Sequence, residues 1–158
     1  MRIRQWRRDL RGLAIPLMLV GALVSAVCSV SGQAKDQSPL DLLLRVEAVD
    51  DSAVGEVTQA ERAVRTARYQ AFRQLYLGGN ASLGAAKRLV DSASPAGRVY
   101  GYLILRRVSP RDAVAATPRL LQDHAQVDVR NGCIVNTSTV GDLVTHIQKG
   151  YYVIQLPK

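Results

Sequence analysis

Between Glu56 and Leu77 the apolar residues Val57, Ala60, Val64, Ala67, Ala71, Phe72 and Leu75 recur at three- and four-residue steps, and Gly78-Gly79 closes the run. That period predicts one long amphipathic helix with these residues inward and a glycine end. The opposite face carries Glu61, Arg62, Arg65, Arg68 and Arg73, with Glu61 and Arg65 spaced as an i,i+4 pair, so a solvated arginine row is expected there. Shorter periodic runs follow. Leu83, Ala86, Leu89 and Val90 mark one helix, and Val99, Tyr100, Leu103, Ile104 and Arg107 mark the next, with Tyr100 packed inside and Tyr102 reaching the surface.

Helix starts punctuate the pattern. Ser38-Pro39-Leu40-Asp41, Ser94-Pro95 and Ser109-Pro110-Arg111-Asp112 each put a capping serine before a proline that suits the first helical position. In the first and third, an aspartate follows where it faces exposed amides. Asp50-Asp51 is expected in a loop after the first helix. The segment from Asp112 to Gln122 meets Pro118, whose missing amide and ring clash predict two helical pieces broken near Thr117.

From Gln126 the period becomes two. Val127 and Val129 alternate with Asp128 and Arg130, Asn131-Gly132 is a two-residue turn signal, and Cys133-Ile134-Val135 returns, which predicts a β-hairpin. Ser138-Thr139 then caps a helix through Val140, Leu143, Val144 and Ile147 that ends at Gly150. The β-prone tail from Tyr151 to Leu156 is expected as a third strand or as an extended segment against the body. The fold class expected is mainly α. Short antiparallel helical hairpins, HEAT-like at most because no repeat recurs at three places, carry a small C-terminal β-hairpin.

The amino terminus has a different pattern. Residues Leu13 to Val30 form an uncharged, mostly apolar run, preceded by Arg2, Arg4, Arg7, Arg8 and Arg11 and followed by Ser31-Gly32-Gln33-Ala34. These are the three regions of an export signal, with cleavage expected after Ala34. The organisation expected is an export signal over 1–34 and a single predominantly helical domain over 35–158, in the periplasm or secreted. The alternative is an uncleaved anchor, which would confine membrane contact to residues 13–30. Cys28 is a candidate lipidation site, although the branched Val27 before it does not suit that processing. Cleavage would leave Cys133 as the single cysteine, which excludes an intramolecular disulfide.

Charge adds little to function. The chain of 158 residues carries a formal +8, and half of that excess lies in the first 34 residues. The remaining +4 is dispersed, so nucleic-acid binding is not expected.

Candidate chemistry is sparse. Cys133 is the soft nucleophile, with His124 and His146 as bases, and a thiol enzyme or hydrolase built from these three is one alternative. The apolar neighbours Ile134 and Val135 instead favour a buried structural thiol. His124, His146, Cys133 and Asp123, Asp128 or Asp142 contain no recognisable ligand pair, and no phosphate-loop or dinucleotide fingerprint occurs. Neither a metal nor a cofactor is therefore expected. Ser94-Pro95-Ala96-Gly97-Arg98-Val99-Tyr100-Gly101, then Asn131-Gly132-Cys133-Ile134-Val135 and Thr139-Val140-Gly141-Asp142, resembles a loose group of small exported bacterial proteins of unknown function. The resemblance covers the chain from Ser94 onward and implies an organisation without an activity.

The function expected is that of an exported cell-envelope protein acting as a non-enzymatic binding module. Its contact surface is expected at Arg62, Arg65, Arg68, Tyr69 and Arg73, facing an envelope protein or an anionic surface. A membrane-anchored structural protein is the remaining alternative.

Overall fold

A computed structural model of the chain describes residues 37–50, 59–131, 134–151, 154, 156 and 157, with side chains from 59 to 62 excluded. The predicted export segment, Cys28 and Cys133 lie outside the described residues. The described chain is mainly helical, and every element belongs to the unit Gln37–Lys158. In order it runs α1 (Pro39–Leu44), β1 (Ala48–Asp50), α2 (Gln59–Leu77), a 3-10 turn (Gly79–Ser82), α3 (Leu83–Val90), α4 (Pro95–Val108) and α5 (Pro110–Leu121). Then come β2 (Gln126–Asn131), β3 (Ile134–Thr139) and α6 (Val140–Gln148).

The helix starts follow from local capping. Ser38, Ser94 and Thr139 each accept a hydrogen bond from the third amide beyond them, which satisfies a donor that the first helical turn leaves open. Ser109 sits at the start of α5 as predicted, but its hydroxyl donates to the Asp112 carboxylate (2.8 Å) and makes no backbone cap. At the far end of α6, Gly150 takes φ 85°, a left-handed conformation that favours glycine after a helix.

Helix α4 is the hub. It packs against α1, α2, α3, α5 and α6 and touches β1 and β2. Its middle, Val99 through Leu105, is buried all round, including both Tyr100 and Tyr102. Tyr102 is therefore not at the surface, because its hydroxyl finds Thr117 Oγ1 of α5 at 3.1 Å. Five helices gathered about one differ from a linear repeat stack, in which each unit meets only its neighbours. Helices α3 and α4 approach closely, and a Cβ on Gly101 would stand 2.7 Å from Leu89 Cβ. Phe72 joins α2 to this core with its ring centroid 5.3 Å from that of Tyr100.

Three local expectations are corrected. First, α5 continues through Pro118 as one helix. Pro118 lies in its last turn, the Val114 carbonyl deprived of its amide belongs to an exposed residue, and Thr117 Oγ1 donates to the Ala113 carbonyl (2.9 Å) beside it. One lost bond at a wet helix end does not break the element. Second, Asp50 ends strand β1, which is too short to show a period.

Third, the hairpin register is shifted, and β1 joins the hairpin as a third strand among the described residues. Strand β1 pairs in parallel with β2 (Val49 opposite Val129), and the sheet order is β1-β2-β3. Along β2 and β3 the register sets Asn131 opposite Ile134, one residue later than an Asn131-Gly132 turn predicts. The amides of Val140 and Gly141, which donate to the carbonyls of Ala125 and Asp123, hold that register from the α6 end.

Candidate functional site

The arginine row does not form one solvated face. Helix α2 is turned so that Arg65, Phe72 and Tyr76 are buried, while Val64 and Ala67, expected inward, face solvent. The cause lies on β1, which ends on Asp50, a carboxylate only 1% exposed. A buried charge needs a partner, and α2 supplies two: Arg68 Nη1 donates to Asp50 Oδ2 at 3.1 Å, and Arg65 Nε lies 3.8 Å from Oδ1. The Asp50 amide donates to the Tyr100 hydroxyl at 3.0 Å, tying strand, α2 and α4 together. Of the five residues expected to meet a partner, Arg65 and Arg68 are internal braces, Tyr69 is half-buried, and Arg73 is exposed. The Arg62 side chain lies outside the described residues.

The two histidines are both exposed: His124 in the loop before β2 and His146 in the last turn of α6. Among the described residues no group of histidines, cysteines and carboxylates could hold a metal ion. No described helix is long and apolar enough to cross a membrane.

Two surface depressions among the described residues bear on binding. One, of about 370 Å³, lies between the carboxyl ends of α3 and α5, where Arg98 grips Asp123 with Nε (2.7 Å) and Nη2 (3.3 Å). Arg98 also donates to the carbonyls of Ser92 and Ala93, and Arg119 reaches Asp91 (2.6 Å). Both guanidiniums are already matched by carboxylates, and they neutralise the negative ends of the two helices. That depression is a structural clasp.

The second is a groove of about 400 Å³ between α4, α5 and α6. Arg106 reaches into it from the last turn of α4 and donates through Nη1 to the carbonyl of Ile147. No described carboxylate is paired with it. Thr117 and Tyr102 line one side, with the Thr117 proton directed to the Ala113 carbonyl, so Tyr102 is the donor in their mutual bond. Both hydroxyl oxygens thus keep accepting capacity. Pro110 and the 72%-exposed Val114 form an apolar wall, and the amide of Gln148 lies at the α6 edge. Arg107 and Arg111 lie exposed nearby in sequence, while the acid next to them, Asp112, is taken up by Lys87 (3.0 Å). The groove joins an unmatched cation, hydrogen-bond acceptors and an apolar surface, the ingredients of a pre-formed ligand site.

Nothing in the hydrophobic pattern singles out Arg106, which stands in the polar pair Arg106-Arg107 near the end of an apolar helix. One signal was present: its neighbours three and four places away, Tyr102, Leu103, Ser109 and Pro110, include no acid that could pair with it. Comparison with protein-family models, with characterised proteins and with solved structures finds no match to this chain.

Proposed function

We propose that the chain is an exported cell-envelope protein acting as a non-enzymatic binding module, and that its binding surface is the groove between α4, α5 and α6. Arg106 carries this reading, as a half-buried guanidinium with no described carboxylate, beside accepting hydroxyls and an apolar wall. The exported location rests on the arginine-rich, then apolar, then small-residue order of residues 1–34. The partner is an envelope protein.

Photo-crosslinking tests both halves. A photoreactive residue replaces Val114 in the groove wall or, as a control, the exposed Gln74 of α2, in chain expressed from its full sequence. Recovery from the extracytoplasmic fraction with an adduct at position 114 and none at 74 is expected. Recovery in the cytoplasm would overturn the location, and absence of an adduct specific to position 114 would overturn the groove.

A further inference from the structure

We infer that the groove takes the free carboxyl end of a peptide whose last residue is small and apolar. The inference rests on the binding reading above and names its ligand.

The site is asymmetric in hydrogen bonding. At one end Arg106 offers guanidinium N–H groups beyond the one held by Ile147. At the other, the protons of Thr117 and Tyr102 are directed into the protein, so the hydroxyls present lone pairs. A ligand that fits both ends carries a negative acceptor and, a few ångströms away, an N–H donor. The last residue of a peptide has that pair in its carboxylate and its own backbone amide. A simple carboxylate supplies only acceptors and would set oxygen against oxygen at the hydroxyl side.

The wall supplies the third element. Pro110, Ala113 and Val114 form a shallow apolar surface, and Val114 in particular has nothing covering most of its side chain. A small apolar side chain on the terminal residue would cover it. The volume of about 400 Å³ lies near the lower end of small-ligand sites, which suits a chain end rather than the flat face of a folded partner. Capture of a terminal carboxylate is an established mode of peptide recognition in which charge, amide and last side chain are read together.

Fluorescence anisotropy on the full chain tests the inference with a labelled tetrapeptide that ends in alanine. The free-carboxyl peptide is expected to bind, and amidation of its end is expected to weaken binding at least about tenfold, the usual consequence of losing a hydrogen-bonded charge. Arg106→Gln is expected to cause a similar loss. Because Arg106 also holds the end of α6, Val114→Glu serves as a second variant: it changes only an exposed side chain and sets a like charge against the ligand.

Equal binding of acid and amide would overturn the carboxylate role. Equal binding of an amidated peptide with an internal aspartate would overturn recognition of a chain end, and displacement by inorganic phosphate at the peptide's own concentration would make this a general anion site. If no peptide binds while crosslinking at position 114 still yields an adduct, this inference falls and the binding module stands. If both fail, both readings fall.

Discussion

Asp50 shows how one buried side chain sets the position of an entire helix. With two guanidiniums around it, removal of the carboxylate leaves uncompensated positive charge in the interior. Asp50→Ala is therefore expected to lower unfolding stability by about 3–5 kcal/mol, measured by denaturant titration. A loss below about 1 kcal/mol would mean that the cluster does not brace β1 against α2. The periodicity of α2 could not reveal this arrangement. Arginine counts as polar, so a pattern that sorts residues by polarity placed Arg65 and Arg68 outside and Val64 and Ala67 inside. Nothing local marked Asp50 as the end of a buried strand.

Asp112 acts at the same scale but at the surface. The hydrogen bond from Ser109, then the one from Lys87, hold its carboxyl below the usual carboxylate range. A depressed native pKa means that the unfolded chain binds the proton more readily, so stability rises with pH through this region. The contribution is fully present above the ordinary carboxylate range and is lost as pH falls through the lowered value. Comparing thermal unfolding of the wild type with Asp112→Asn is expected to show a gap at about pH 6 that closes towards about pH 2. A gap independent of pH would assign the effect to packing.

Among the elements, those marked by local chemistry were the legible ones. The serine-proline starts of α1, α4 and α5, the end of α6 at Gly150 and the alternation of β2 depend on residues close in sequence, and each stands where it was expected. The unbroken α5 and the hairpin register depend on neighbours distant in sequence, and both were misread; the pairing of β1 with β2 is equally remote in sequence and carries no local mark.

The packing of α3 on α4 gives an element-scale prediction. In an open helix, Gly101→Ala would stabilise by about 1 kcal/mol through backbone entropy. Here the added Cβ would meet the Val90 backbone nitrogen at 2.7 Å, so a net loss of about 1–3 kcal/mol is expected in denaturant unfolding. A gain would show that the two helices separate without cost.

At the scale of the whole molecule, the class of fold was readable and the candidate site was not. Mainly helical architecture with a small C-terminal β element follows from period and caps alone. The groove needs side chains from α4, α5 and α6 brought to one place, and no single stretch of sequence carries that geometry. Arg106 was overlooked and Arg65 over-read for the same physical reason: whether an arginine is braced, solvated or available depends on which carboxylates the fold brings near it.

The parallel pairing of β1 with β2 also governs the order of events at the ribosome. Strand β1 is synthesised about eighty residues before the strand it lies beside, and at ordinary elongation rates that interval is about 4–16 s. Throughout it, Ala48 and Val49 have no strand to pair with, and only α2 and α4 are available to cover them until the final third of translation supplies β2.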